Sequence, residues 1–210
     1  MFRLIKIVFN AFLLVLAFIG FNAIGGEKYI EPIKVAINDH IQEYRDNITK
    51  KMGDFSDLNE EFQIDKAVNF MGYNAMLAAH KASGQKMVIL DSGRKPLLTP
   101  EDIQSDEIEK KLKTLSEKFR YHGASVKDIK VTERGKLKIY GQNVPYAKFV
   151  ATVTKLPVSD IGGIVASVRT SDGSEKLALS LSENKRYSQL ITNEFFKGVN
   201  EGTNKVTDAR

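Results

Sequence analysis

From Ile7 to Gly26 the chain runs for 20 residues without a charge, IVFNAFLLVLAFIGFNAIGG. A helix of that length rises about 30 Å, the thickness of a bilayer's hydrocarbon core. Phe2, Phe9, Phe12, Phe18 and Phe21 fall in or beside it, and Asn10 and Asn22 lie near its ends, within reach of an interface. Apolar on all faces and placed at a terminus, the segment does not read as the one-sided helix of a soluble core. It is expected to enter the lipid bilayer through Ile7–Gly26. Two forms of that reading stand side by side. One is a retained single-pass signal anchor. The other is a signal peptide cleaved near Gly25, with Met1–Lys6 as basic leader, Ala11–Phe21 as apolar stretch and Ala23-Ile24-Gly25 as a small-x-small site.

Orientation follows from where the cations sit. Arg3, Lys6 and the terminal amine precede the run, and Lys28 and Lys34 follow it. By the positive-inside rule the short basic leader tips the N-terminus to the cytoplasmic side and the rest of the chain to the extracytoplasmic side. With Arg3 and Lys6 set aside, 29 basic residues face 26 acidic ones, so bulk charge gives little reason to expect nucleic acid as a partner. The chain has no Cys, which excludes disulfide frameworks, zinc ribbons, iron–sulfur ligation and thiol nucleophiles.

Residues 27–198 carry the patterns of an α+β domain, and 199–210 read as a flexible polar tail. Ile33, Ile37, Ile41, Tyr44, Ile48 and Met52 recur at helical spacing, which predicts an amphipathic helix over 33–52 that Gly53 ends. Its apolar face can pack on its own domain. Alternatively Ile37, Ile41, Tyr44 and Ile48, which also fit a heptad seam, can meet a protein partner or a second copy. Ser56 or Asp57 offers a cap for a second helix, expected from Asp65 to Ser83 with Gly84 just past its end. Gly72, Ala75, Ala79 and Ala82 would form its small-residue stripe. Lys86–Asp91 reads as a buried strand. Thr99-Pro100-Glu101-Asp102 reads as a capped helix start. Ile108, Leu112, Leu115 and Phe119 supply the buried stripe of the helix that follows, which Gly123 ends.

From Val126 the period changes to two, which predicts an antiparallel meander of about five strands over 126–182 and a closing helix. A three-residue loop at Glu133-Arg134-Gly135 would pair Val131 with Leu137 and Ile129 with Ile139. Tyr146–Lys155 alternates again. Ile164–Thr170 and Glu175–Ser182 form a hairpin around Ser171-Asp172-Gly173-Ser174. Tyr187, Leu190, Ile191 and Phe195 mark the last helix, which Gly198 stops. An N-terminal anchor, early helices and a late antiparallel sheet resemble, in layout only, the periplasmic assembly domains of secretion and conjugation systems. A cone-shaped helix-plus-sheet fold is what that resemblance implies.

Candidate chemistry is sparse. His40, His80 and His122 share no ligand spacing, so no metal site is expected. Asp91-Ser92-Gly93 follows a predicted strand but lacks a nucleophile elbow and an adjacent base, and Gly162-Gly163 lacks phosphate-loop spacing. No catalytic residue and no cofactor are expected. The distinctive surface is the first hairpin: in the register above, Lys130 stands opposite Lys138 and Thr132 opposite Lys136, with Arg134 at the tip and Lys127 at the base. Like charges across a strand pair repel. The set Lys127, Lys130, Arg134, Lys136 and Lys138 therefore either contacts an anionic partner or blocks edge aggregation. The function expected is a membrane-anchored, extracytoplasmic, non-enzymatic binding or assembly module of the cell envelope. The alternative is a small-ligand-binding or hydrolytic exported domain with its pocket between sheet and helices.

Overall fold

Alternating and continuous apolar runs give one seven-stranded antiparallel sheet. A computed structural model describes residues 46–70, 73–91, 96–117, 125–154 and 159–202. Its strands are β1 (Phe62–Phe70), β2 (Tyr73–His80), β3 (Lys86–Asp91), β4 (Ser125–Ile139), β5 (Gln142–Thr154), β6 (Asp160–Arg169) and β7 (Glu175–Glu183). They lie in the order β1-β2-β3-β7-β6-β5-β4. Among the described residues four α-helices accompany them: α1, described over 46–52, α2 (Pro100–Gln104), α3 (Ile108–Glu117) and α4 (Gln189–Lys197). The chain is thus mixed α+β.

The three middle strands are buried along almost their whole lengths, so both sheet faces are covered. This explains why KMVILD and the GIVASV part of β6 read as unbroken apolar runs. On one face Leu77, Val88, Leu90, Phe149, Val165, Leu177, Leu179 and Leu181 pack with Ile103 of α2 and Ile108 of α3. On the other, Met76, Met87, Ile89, Leu137, Ile139, Ile164 and Ala178 pack with Ile48 and Met52 of α1 and with Phe195 and Phe196 of α4. At about 25 cal/mol per Å² of apolar surface, these two layers are the main stabilising term.

Several expectations hold. β3 has the expected bounds. Thr99 caps α2 in a reciprocal box, accepting from Asp102 N at 3.2 Å while its own N–H donates to Asp102 Oδ2 at 2.9 Å. The β6–β7 hairpin turns at Gly173, whose φ of 78° suits glycine. Gly198 ends α4 as expected; its cap, Ser188, was not among the expectations.

Others are corrected. The segment expected as a helix over Asp65–Ser83 is the β1–β2 hairpin, with Val68 opposite Ala75 and Ile64 opposite Ala78. Sheet pairing with β3 overrides the helix preference of its alanines. A bulge between Ile64 and Lys66 had hidden the period of two in β1. The loop expected at Glu133-Arg134-Gly135 is the middle of β4; the chain turns instead at Tyr140-Gly141, joining Ile139 to Gln142. Both turn residues have positive φ, 51° and 72°, as two-residue hairpin loops require. Val131 therefore pairs with Phe149 and Leu137 with Val144. The meander, β4 to β7, is extended by β3, β2 and β1 to seven strands. Of the helix expected over 33–52, only 46–52 is described; it ends before Gly53 as expected. Of the loose tail expected over 199–210, Val199 is instead fully buried and Asn200 pairs with Asp54; 203–210 lie outside the described residues.

Candidate functional site

The cationic set lies on β4, an edge strand. Lys127, Lys130, Arg134, Lys136 and Lys138 are all exposed. Their arrangement is not the one expected. The ladder shifts between Val126 and Asp128 and again between Val131 and Glu133. Each shift turns the alternation over: Ile129 belongs to the layer under α2 and α3, whereas Leu137 and Ile139 belong to the layer under α1 and α4. Lys130 thus projects on one side of the sheet and Lys136 and Lys138 on the other, so the predicted Lys130–Lys138 repulsion does not arise. Arg134 reaches back to the α2–α3 connection, donating to Ser105 O at 3.1 Å and to Asp106 Oδ1 at 3.3 Å. At the second bulge Val131 N–H donates to Glu109 Oε1 of α3 at 2.7 Å. Bulges, lysines and a helix carboxylate together make this edge a poor template for another strand.

A slot of about 60 Å³ opens between α3 and the sheet, lined by Leu90, Leu112, Leu115, Ile129, Phe149 and Leu179 among others. Among the described residues Ser116 is its one polar lining residue, and its hydroxyl donates to Lys113 O at 2.7 Å. An ordered water needs about 10–15 Å³, so the slot has room for a small apolar group. Among the described residues it offers no converging polar groups with which to orient a reaction.

The buried polar side chains hold elements together. Gln85 is fully buried; its Nε2 donates to Ser180 Oγ, Thr192 Oγ1 and Ser188 O at 2.8–2.9 Å, and its Oε1 accepts from Ser188 N at 2.8 Å. That network fixes the start of α4 on β7. Tyr187 joins it through Thr192 at 3.0 Å, and burial pushes its phenol up to about 12. Tyr146, pushed up to about 12 by burial and by Glu133 beside it, donates to Glu133 Oε1 at 2.6 Å. The bonds from Tyr146 and Lys148 hold the Glu133 carboxyl below its ordinary value. A phenol whose pKa is raised stays protonated and donates; it is not an activated nucleophile. Lys176, also buried, is pushed down by burial and faces Asp91, Asp172 and Glu201. Its ammonium donates to main-chain carbonyls of α1.

His80 lies on β2 rather than on a helix. Its Nδ1 is 2.9 Å from Ser83 Oγ, and its ring meets Phe62 edge-on at 5.3 Å. That is the setting of a packed turn residue. His40, His122 and Ser92 lie outside the described residues. Among the described residues no group of three His, Asp or Glu could hold a metal ion. Ile48 is buried in its own domain; Ile37, Ile41 and Tyr44 lie outside the described residues. So does Ile7–Gly26, and no helix among the described residues is long and apolar enough to cross a membrane. Sequence reasoning missed Gln85 and Lys176. Lys176 carried a signal: it shares parity with Ala178 and Ser180, inside a strand buried on both faces. A scan of known protein families finds no match to the chain, and a search of curated proteins finds none either.

Proposed function

We propose that the chain is a non-enzymatic binding or assembly module of the cell envelope, held in the membrane through Ile7–Gly26 with its α+β domain on the extracytoplasmic side. The observation that carries this reading is a division among the charged and polar groups. The buried ones, Gln85, Lys86, Glu175 and Lys176, bind neighbouring elements of the same domain. The exposed cations of β4 line a strand edge on both sides of the sheet. Such an edge suits an acidic protein surface or an anionic envelope polymer, which would neutralise it at close range. The leader supplies the location: a charge-free run long enough for the bilayer, behind a basic start.

The test is crosslinking in intact cells followed by identification of what is captured, repeated with Lys127, Lys130, Lys136 and Lys138 changed to Glu. The reading expects a defined partner whose capture falls at least tenfold in the quadruple variant. A reporter active only in the cytoplasm, fused after Arg210 and found active, would overturn the location. Undiminished capture by the variant would overturn the role of the edge.

The slot favours a second reading, an exported domain that takes a small apolar ligand between α3 and the sheet. Widening the slot with Leu115→Ala and soaking in a small aromatic probe would raise the melting temperature in that case. Absence of any probe-dependent shift would set it aside.

A further inference from the structure

Four stretches of chain, far apart in sequence, converge where α1 ends. The last carbonyls of a helix have no partner inside it. Here Lys176 Nζ donates to Lys51 O at 3.0 Å and to Met52 O at 3.4 Å, and the Tyr140 hydroxyl donates to Met52 O as well. The Lys176 ammonium sits 5.1 Å from the centre of the Tyr140 ring, so the two donors also hold each other. Two residues beyond α1, Asp54 and Asn200 exchange backbone hydrogen bonds of 2.8 and 2.9 Å. Asn200 Nδ2 reaches Asp57 Oδ2 at 2.7 Å.

The backbones approach too closely for side chains. A Cβ on Gly53 would stand 2.8 Å from Asn200 O, and one on Gly202 would stand 2.5 Å from Lys50 O. The same C-terminal stretch is tied to two hairpin turns. Tyr140 N–H donates to Val199 O at 3.1 Å, and the Glu201 carboxylate accepts from Ser171 N and Gln142 Nε2, both at 3.2 Å.

A mobile linker has few buried contacts and solvated backbone. This junction has the opposite: Met52, Tyr140, Lys176 and Val199 are buried, and withdrawing α1 would leave an ammonium in the core without its carbonyls. We propose that residues 46–54, Tyr140, Lys176 and 199–202 form a rigid joint that holds the chain entering from the N-terminal side at a fixed angle to the sheet, with 199–202 as its clasp. A force applied to the chain at 46–52 is then passed to the sheet, in part through Lys176 to β7 at its middle. The inference stands on its own geometry and holds whether or not the leader enters lipid.

The chain has no Cys, so pairs of spin labels can be placed without background. In the full-length protein, labels at Lys50→Cys and Lys197→Cys, both exposed sites, are expected to give one narrow distance distribution. Amides of Gly53, Asp54 and Asn200 are expected to exchange within tenfold of those of β6. A broad distribution, or exchange at these amides a thousandfold faster than in β6, would overturn the joint. Gly202→Val tests the clasp. It is expected to broaden the distances and to speed exchange at Gly53 and Asp54 at least tenfold, while β3, β6 and β7 stay within threefold of the parent. Unchanged distances would overturn the clasp. Equal loss of protection in the sheet would overturn the joint as a unit separable from the fold.

Discussion

Lys86 of β3 and Asp65 of β1 form an ion pair at 2.9 Å across the intervening strand β2, with both side chains nearly closed to solvent. The residue opposite Lys86 on β2 is Ala79, small enough for the lysine stem to pass over it. Asp65 is the extra residue of the β1 bulge, so the irregularity that hides β1 from the sequence pattern also aims the carboxylate at its partner. Removing one partner of a buried ion pair costs about 3–5 kcal/mol. Asp65→Ala is expected to lower unfolding free energy by that order in urea titrations. The double change Asp65→Leu with Lys86→Met is expected to recover most of it.

The β6–β7 turn gives a pH signature. Asp172 accepts from Ser174 N at 2.9 Å and from the Thr170 hydroxyl at 2.7 Å, and these bonds, the backbone one first, hold its carboxyl at about 2, below the ordinary 3.8. A carboxyl whose folded pKa is depressed contributes stability above its unfolded pKa and loses it as pH falls through the folded one. Between pH values near 4 and 2 the parent protein is therefore expected to lose more stability than Asp172→Asn does. Parallel slopes for the two proteins in thermal melts across that window would contradict the assignment.

Gly163 sits in β6 against β7, where a Cβ would stand 2.4 Å from Ser180 O and 2.6 Å from Leu181 Cδ2. Neither neighbour is a free end that can swing away. Gly163→Ala is expected to cost about 2–3 kcal/mol through overpacking. Gly84→Ala has open space around it but a φ of 71°, and is expected to cost about 1–2 kcal/mol from backbone strain alone. Chemical denaturation of the two variants checks the order.

Gln85 has no role at any surface, yet it is expected to be among the residues least tolerant of change. Gln85→Leu removes the donor shared by Ser180, Thr192 and Ser188 and the acceptor for Ser188 N–H. That leaves the Ser188 N–H without this acceptor and thins a network that Thr192 otherwise holds to Ser180 and Ser188, at a cost of about 3 kcal/mol. Faster hydrogen exchange at the first turn of α4, with β3 unchanged, is the specific readout.

The sequence pattern was readable wherever local chemistry and pairing agreed. The apolar run of β3, the Thr99-Pro100 helix start, the Asp172-Gly173 turn and the Gly198 end of α4 each depend on neighbours a few residues away. It failed where a bulge intervened. One extra residue shifts a period of two, so β1 looked helical and β4 looked like two short strands. The exposure of Lys130, Lys136 and Lys138 survived this error because each keeps its local alternation. Their mutual placement did not, because it depends on the bulge at Thr132. The Tyr140-Gly141 turn was missed because its first residue is a tyrosine held at positive φ by its burial and its bond to Met52 O. Gln85 and Lys176 could not be assigned partners from sequence, since those partners lie about a hundred residues or more away.

The strand order carries a consequence for how the protein comes into being. β7 emerges last from the ribosome yet lies between β3 and β6, with Leu90 opposite Leu177 and Val165 opposite Leu179. Until it arrives, β1–β3 and β4–β6 are two half-sheets with raw inner edges and no seam between them. Closing so long a loop slows folding and leaves those edges sticky meanwhile. A nascent chain of this design therefore keeps two half-sheets open to pairing with other chains until β7 has been made and seated between them.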